Sequence, residues 1–132
     1  MLLALAGCAT PRVGSPVLAD DAPAPRADLY VFNVSRGTLI PLKRHVTVDG
    51  FPLVSLRRET WRKLAIKPGT RELVLSGRRL MLAATDGGTY YLAVGFRPRR
   101  EWLMPIAADP IFIRVISEAE ALRLFTEMKP DE

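Results

Sequence analysis

The middle of this chain alternates apolar and polar residues in short runs that end at glycine-containing turns. Runs of this kind, repeating at roughly 8–12 residues with turn chemistry between them, are typical of all-β domains. The strand-like runs are residues 29–34, 45–48, 53–56, 61–66, 73–75, 80–84, 89–96 and 111–116. This pattern predicts a mainly β fold, and we expect an antiparallel β-sandwich, Ig-like or prealbumin-like, rather than a barrel.

Two turn signals fix where the chain should reverse. Asp49-Gly50 predicts a tight hairpin, because both central positions tolerate a positive φ angle. Pro52 follows, and since proline cannot donate to a ladder, it predicts an edge strand or a strand start. Pro68-Gly69 has the residue order of a type II turn, in which glycine takes the positive φ angle.

The end of the chain changes to a helical period. Ser117 and Glu120 have the spacing of a capping box, in which the hydroxyl serves one free amide and the carboxylate another. One apolar stripe follows at helical spacing, formed by Ala121, Leu124, Phe125 and Met128. These features predict one short C-terminal amphipathic helix, packed on one sheet or sheet edge.

The amino terminus carries a separate signal, Leu5-Ala6-Gly7-Cys8, at the end of an uncharged apolar run. It has the form of a bacterial lipobox, which predicts cleavage between Gly7 and Cys8 and acyl chains on the new terminal cysteine. Residues 1–7 lack a basic segment, so we expect the charged part of the leader to lie upstream. The alternative is an ordinary buried cysteine in an apolar opening segment.

Composition divides the chain into an anchor, a spacer and one domain. Residues 8–27 begin with the candidate lipidated cysteine and continue as a Pro/Ala-rich linker without strand or helix period. Residues 28–128 are expected to be the sandwich with its helix, and residues 129–132 a tail. One cysteine excludes an intramolecular disulfide, and no apolar stretch of about 18 residues predicts a spanning helix.

The charge of the chain is formally +5, and it is concentrated in the middle. Residues 36–114 hold 15 Lys/Arg against 6 Asp/Glu. Such a balance suits anionic neighbours such as lipid headgroups, acidic polysaccharide or an acidic protein. The lipobox argues against nucleic acid as a partner. The alternative is that the arginine-rich strand faces are simply solvated.

No residue pattern in the body predicts catalysis. His45 is the sole histidine and is expected to be a surface or half-buried residue. Without a second histidine or a further cysteine in the body, neither a zinc site nor a Cys-His pair can be assembled. Asp49 and Asp86 lie in turns, where such side chains bond the backbone. The serines lack a nucleophile-elbow context; they are Ser35, Ser55, Ser76 and Ser117. We therefore predict a non-enzyme without a cofactor, apart from acyl chains on Cys8.

The best candidate for ligand binding is a basic loop after the run at residues 89–96. Its residues are Arg97, Arg99, Arg100 and Trp102. Guanidinium groups bind phosphate or carboxylate in forked geometry, and an indole stacks on sugars or enters a membrane surface. The alternative is a solvated connector. Trp61 either joins this loop or fills the core.

Neighbouring tyrosines carry a further expectation. Tyr90 and Tyr91 should point to opposite faces of one strand. One of them should be core, with its hydroxyl bonded to loop backbone as in the tyrosine corners of sandwiches.

The order of these signals resembles a family of small bacterial lipoproteins carried under a domain-of-unknown-function label, and also the short β-domains with a Pro-Glu-Gly-Ala motif. The matching stretches are residues 28–34, 46–50, 64–69 and 88–92 and the closing helix. The resemblance implies an antiparallel sandwich on a lipid anchor, and it implies no activity.

Taken together, the sequence predicts a non-catalytic envelope lipoprotein that binds or braces another component. A binding module for peptidoglycan glycan or anionic lipid, acting through the basic loop, and an inhibitor or accessory subunit of an envelope enzyme remain alternatives. Ala9 is not aspartate. By resemblance to enterobacterial sorting, this implies the outer membrane, with the domain facing the periplasm.

Overall fold

The computed structural model describes residues 14–35, 44–96 and 111–131, which form two packed β-sheets and one helix. The strands are β1 (Val17–Leu18), β2 (Ala27–Asn33), β3 (Arg44–Val48), β4 (Phe51–Leu56), β5 (Thr60–Ile66), β6 (Gly69–Leu75), β7 (Arg78–Ala84), β8 (Thr89–Phe96), β9 (Ile111–Val115) and β10 (Lys129–Pro130). The helix, α1, spans Glu118–Glu127. The predicted mainly β sandwich with one short C-terminal helix is confirmed.

Strand pairing is mostly antiparallel. One sheet has the order β1-β5-β2-β8-β9, with β10 also paired to β5, and the other has the order β4-β3-β6-β7. Two neighbours are parallel, β2 with β8 and β10 with β5. Between β2 and β8 the chain builds β3 and β4 in the other sheet, β5 beside β2, and β6 and β7 in the other sheet, and β8 then adds to the side of β2 opposite β5.

The core between the sheets follows the predicted alternation. Leu73 and Leu75 of β6 and Leu82 and Ala84 of β7 point inward and are buried, while Met81 between them is 59% exposed. Packing the apolar face of each sheet against the other removes these side chains from water, at roughly 25 cal/mol per Å² of apolar surface. The alternation of apolar and polar residues therefore determines which face of β6 and of β7 packs against the other sheet.

A second core lies on the other face of the six-stranded sheet, beneath α1. Ala121 and Leu124 of the predicted helical stripe are buried there, and Phe125 and Met128 pack beside them. Ser117 caps α1, since its hydroxyl accepts a hydrogen bond from the Glu120 N–H at 3.1 Å. Among residues 14–35, 44–96 and 111–131, no helix has the length and apolar character needed to cross a bilayer.

Trp61 belongs to this second core rather than to a surface site. Its ring lies edge-on to Phe125, with centroids 4.8 Å apart. Phe125 also meets Tyr30 and Phe32 edge-on, at 5.4 and 5.0 Å. Of the two interpretations of this tryptophan, the structure supports core packing, although against the helix rather than between the sheets.

The predictions at Asp49-Gly50 and Pro52 are confirmed, whereas at Pro68-Gly69 only the positive φ angle of Gly69 is confirmed. Asp49 and Gly50 have φ angles of 50° and 84° and join β3 to β4 as a two-residue hairpin. Pro52 lies in β4, which is an edge strand of the four-stranded sheet. Gly69 has a φ angle of 130°, as expected for a positive-φ position. The Pro68–Gly69 turn, however, carries the chain from one sheet to the other.

Both ends of the domain extend beyond the predicted limits. Within the expected linker, β1 pairs with β5, and Ala27 begins β2 and is fully buried. In the expected tail, Lys129 and Pro130 pair with β5, and the Asp131 N–H donates to Trp61 O at 2.8 Å. Hydrogen bonds along the edge of β5 therefore hold β1 and β10 in the sheet, although the composition around both strands is typical of a linker.

The strand directions give the sandwich two ends, a lower end and an upper end. The lower end holds the Asp49–Gly50 hairpin, the Lys67–Pro68 turn, residues 85–88 and the entry of the chain into β1. The upper end holds residues 34–35, the turn at residues 57–59, the hairpin at residues 76–77 and the start of β10. Seven-residue strands rising about 3.3 Å per residue separate the two ends by about 20 Å.

Candidate functional site

The binding and processing residues predicted from the sequence lie outside the described residues. These are Gly7, Cys8, Arg97, Arg99, Arg100 and Trp102. Phe96 and Ile111, which flank the basic loop in the sequence, pair with each other at the upper end.

The turn aspartates hold the lower end together. Asp49 accepts the Glu72 N–H at 2.8 Å on Oδ1 and Arg71 Nη1 at 3.0 Å on Oδ2. Arg71 also donates to the carbonyl oxygens of Lys67 and Pro68, at 2.9 and 2.6 Å. The Asp49–Arg71 pair thus ties the β3–β4 hairpin to the Lys67–Pro68 turn, as expected for an aspartate that bonds backbone.

Other polar residues singled out in the sequence have comparable roles. Asp86 Oδ1 accepts the Arg26 N–H at 3.0 Å, and Ser117 caps α1. His45 is exposed on β3, as predicted. Within the described ranges, no three His, Cys, Asp or Glu side chains are grouped closely enough to hold a metal ion.

A shallow cleft lies beside the chain entry. It has a volume of about 140 Å³ and is lined by Asp20, Arg26, Lys63 and Leu64. The Arg26 guanidinium is engaged on all three nitrogens, with Asp28 Oδ1 and with the carbonyl oxygens of Asp20 and Ala22. Arg26 therefore holds the β1–β2 connection against the sheet. Its contacts give the polar residues of the cleft a structural role.

Tyr90 and Tyr91 lie on opposite faces of β8, as predicted. Tyr90 packs at the border of the core between the sheets, and Tyr91 packs beneath α1, stacked on Tyr30 with centroids 5.4 Å apart. The Thr85 hydroxyl and N–H lie 3.0 and 2.9 Å from the Tyr90 phenol oxygen. The predicted bond from a tyrosine hydroxyl to loop backbone is therefore confirmed for Tyr90.

The phenol groups of Tyr90 and Tyr91 should have different pKa values. The hydroxyl and then the N–H of Thr85 lower the pKa of Tyr90, because both favour the phenolate. Burial raises the pKa of Tyr91, and the nearby carboxylate of Glu118 and Tyr30 add to the rise.

We therefore expect Tyr90 to ionise at lower pH than Tyr91 in an NMR titration of Cζ-labelled tyrosine. Glu118→Gln should lower the pKa of Tyr91 without reversing the order, because burial is the larger cause. Thr85→Val is the matched change for Tyr90 and should raise its pKa. Simultaneous ionisation of both phenols in the unsubstituted protein would contradict the described contacts.

Charge is distributed unevenly between the two ends. At the lower end, described acidic residues outnumber basic ones. The acidic residues are Asp20, Asp21, Asp28, Asp49, Asp86 and Glu118, and the basic ones are Arg26, Lys63, Lys67 and Arg71. At the upper end the balance reverses. The basic residues there are Arg57, Arg58, Arg62, Arg78, Arg79 and Lys129, and the acidic ones are Glu59, Asp131 and Glu72, which contacts Arg79.

We call these six upper residues the basic end, and it is the strongest candidate site in the described part of the chain. Arg57 and Arg79 have side chains 60% and 72% exposed, and each has one acidic neighbour: Asp131 at 3.0 Å and Glu72 at 3.4 Å. The Arg79–Glu72 pair is exposed on both sides, and such pairs contribute about 0–1 kcal/mol, so an external anion can replace Glu72 at little cost. Asp131, in contrast, is only 11% exposed. Sequence reasoning found the basic excess but not its location, because that depends on which turns share an end.

Fold and site together define a mainly β sandwich with a charged end. No protein-family model matches the chain, and no curated protein matches it. Among solved structures, it is similar to the N-terminal domain of AlgF from P. aeruginosa, with a TM-score of 0.45 and 12% sequence identity. That match covers 73% of this chain and 99% of the other.

Proposed function

We propose that this protein is a non-catalytic lipoprotein of the bacterial envelope, whose sandwich is tethered through acylated Cys8 and binds another envelope component. The observation that carries the proposal is the position of β1. It pairs with β5 at Ile66 and Ala65, and the Lys67 N–H donates to Pro16 O at 2.8 Å. The chain therefore enters the sandwich at its lower end, a short distance after Cys8.

The reach of the tether follows from chain geometry. Pro16 lies eight residues after Cys8 in the chain. At no more than about 3.5 Å per residue, the cysteine lies within about 28 Å of the lower end. Acyl chains on Cys8 would hold that end toward the bilayer, since each buried CH₂ adds about 0.8 kcal/mol and two or three chains make release negligible.

A binding role, rather than catalysis, is supported by how the polar side chains are used. Asp49, Asp86, Ser117 and Tyr90, which are chemically able to act in catalysis, all hold turns or a helix end. Six of the described arginine and lysine residues instead lie at the end opposite the chain entry. That arrangement suits a module that presents a surface away from its anchor.

Fatty-acid labelling tests the anchor. The chain, expressed in a bacterium behind a complete secretory leader and fed a palmitate analogue, should carry label and fractionate with membranes. Cys8→Ser should abolish both the label and the membrane association. Mass spectrometry that finds the residues before Cys8 still attached, with no acyl groups, would refute the proposal.

A further inference from the structure

We infer that the amino-terminal part of the sandwich is a releasable clasp, which sets how far the domain can lie from its anchor. The clasp is residues 14–25, which contain β1 and most of its connection to β2. The tether is short when the clasp is docked on β5 and long when the clasp is free. The role of the two lengths rests on the proposed function, whereas docking and release depend on the described residues alone.

The clasp is held to the sheet over a short length. The Lys67 N–H donates to Pro16 O at 2.8 Å, and hydrogen-bonded pairs alternate along an antiparallel ladder, so Leu18 and Ala65 form the next such pair. Pro16 is buried, and Val17 and Leu18 are half-buried. Segments with few buried contacts open at a lower free energy than a packed core. The clasp can therefore detach while the two cores stay packed.

The side chain of Arg26 fastens the clasp. Its Nη1 donates to the carbonyl oxygens of Asp20 and Ala22, at 2.8 and 2.9 Å. The same guanidinium binds Asp28 Oδ1 of β2, through Nη2 at 2.6 Å and Nε at 3.1 Å. Asp28 therefore positions the arginine, and the arginine holds two carbonyl groups of the clasp. Release breaks the two bonds to carbonyl oxygens and leaves the ion pair intact.

The backbone of Arg26 marks where release should stop. Its N–H donates to Asp86 Oδ1 at 3.0 Å, and its carbonyl oxygen accepts the Gly87 N–H at 2.8 Å. Ala27, the next residue, is fully buried and stands opposite Ile66 in the β2–β5 ladder. None of these contacts involves residues 14–25. Arg26 therefore stays in place when the clasp leaves, and β2 remains in the sheet.

Release more than doubles the maximum length of the tether. Pro16, the first point of attachment when the clasp is docked, lies eight residues after Cys8, which corresponds to at most about 28 Å. Arg26, the first point of attachment when the clasp is free, lies 18 residues after Cys8, which corresponds to at most about 63 Å. Both points are at the lower end, so the docked clasp shortens the reach by about 35 Å. The proline- and alanine-rich composition of the clasp suits a segment that is extended in water when free.

Amide hydrogen exchange, measured by NMR on the full chain with Cys8→Ser, tests release. The Lys67 N–H, which donates to Pro16 O, should have a protection factor at least about tenfold lower than that of Val31 in the middle of β2. Low concentrations of urea should hardly change the exchange of Lys67, because local opening exposes little surface. The same urea should accelerate the exchange of Val31, which requires unfolding of the sheet.

Two charge variants test the role of Arg26. Arg26→Gln removes the bonds that release must break and should lower the protection factor of Lys67 about tenfold. Lys63→Gln is the matched control, because it removes the same charge from the same cleft. Lys63 meets Asp28 at 3.9 Å and has no bond to the clasp among the described residues. It should lower the protection factor of Lys67 less than about twofold.

The reach is tested on the acylated full chain in vesicles, by energy transfer from a dye on Leu122→Cys to a dye on the lipid headgroups. The dye reacts with the new thiol alone, since the sulfur of Cys8 carries an acyl group. Leu18→Pro removes the N–H that faces Ala65 and should free the clasp, so energy transfer should fall. Leu18→Ala keeps this N–H and should leave energy transfer close to that of the parent chain. Circular dichroism of each variant confirms that the fold is retained.

Three results would overturn the inference. A Lys67 amide as protected as that of Val31, or as sensitive to urea, would mean that the clasp leaves the sheet only when the whole domain unfolds. Equal effects of the two charge variants would mean that Arg26 does not fasten the clasp. Energy transfer that Leu18→Pro leaves unchanged would mean that β1 does not set the reach. Failure of the anchor is a separate result, because fatty-acid labelling detects it and the exchange experiment uses Cys8→Ser.

Discussion

Replacing Asn33 by alanine is expected to lower the free energy of unfolding by about 3 kcal/mol. Asn33 is fully buried at the upper end of β2. Its Nδ2 donates to Leu56 O at 2.9 Å, and its Oδ1 accepts from the N–H and hydroxyl of Ser35 at 3.1 and 2.7 Å. Alanine would remove all three contacts from groups of fully buried residues, where each unsatisfied group costs about 1–3 kcal/mol.

The geometry around Asn33 leaves little room for rearrangement. A Cβ atom built on Gly95 would lie 2.9 Å from the backbone nitrogen of Ser35, so β8 already touches this segment. The bond to Leu56 also joins the two sheets, since β2 and β4 belong to different sheets. The network therefore fixes how the sheets meet at the upper end.

Thermal and urea denaturation would measure the effect, and a fall in Tm of about 10–20 °C is expected for a domain of this size. Ser55→Ala is the matched control. The Ser55 hydroxyl is buried without a hydrogen-bond partner among the described residues, so its removal should change stability by no more than about 0.5 kcal/mol. If Asn33→Ala were no more destabilising than Ser55→Ala, the network would have no net stabilising role.

The features that sequence predicted well are those determined by local chemistry. Asp49-Gly50 has positive φ at both positions whatever lies nearby, and Leu73, Leu75, Leu82 and Ala84 alternate inward because a strand has a period of two. The helix stripe and the Ser117 cap are likewise local. These signals were sufficient for the fold class and for the faces of most strands.

The segments that sequence misjudged are held by distant partners. β1 and β10 are two residues long, lie in proline-containing stretches and pair with different parts of β5. A strand of two residues is too short to show a periodic pattern in the sequence. The hydrogen bonds that hold β1 and β10 also depend on β5, which is distant from both in the chain. The same limit explains why the parallel β2–β8 pair was not foreseen.

The separation of charge shows a further limit of the same kind. Arg57 and Arg78 follow different strands, and Asp49 and Asp86 lie in other turns, with acidic and basic turns interleaved along the chain. Only the strand order places Asp49 and Asp86 at one end and Arg57 and Arg78 at the other. The net charge of residues 36–114 therefore shows that this part of the chain is basic, but it does not show at which end of the sandwich the basic residues lie.

Phe125→Ala should be the second strongly destabilising change, lowering the free energy of unfolding by about 3 kcal/mol. The ring contacts Tyr30, Phe32 and Trp61 edge-on, and such aromatic pairs add about 0.5–1.5 kcal/mol each beyond the burial of apolar area. Phe125 retains some exposure, so the cost should be at the lower end of the range for a buried phenylalanine. Since Phe125 links α1 to three aromatic rings of the sheet, its loss should loosen the whole helix.

Fluorescence and hydrogen exchange can separate loosening of the helix from global unfolding. In a Trp102→Phe background, Trp61 should shift to longer emission wavelength in Phe125→Ala, because its neighbouring ring is replaced by water. In Phe125→Ala, amides of α1 should exchange faster than those of β6 and β7, because the core that holds these two strands lies between the sheets and does not involve the helix. Leu122 lies on the same helix and is 56% exposed. Leu122→Ala should therefore alter the free energy of unfolding by no more than about 0.5 kcal/mol. Equal stability of the two variants would show that the aromatic cluster does not hold α1 on the sheet.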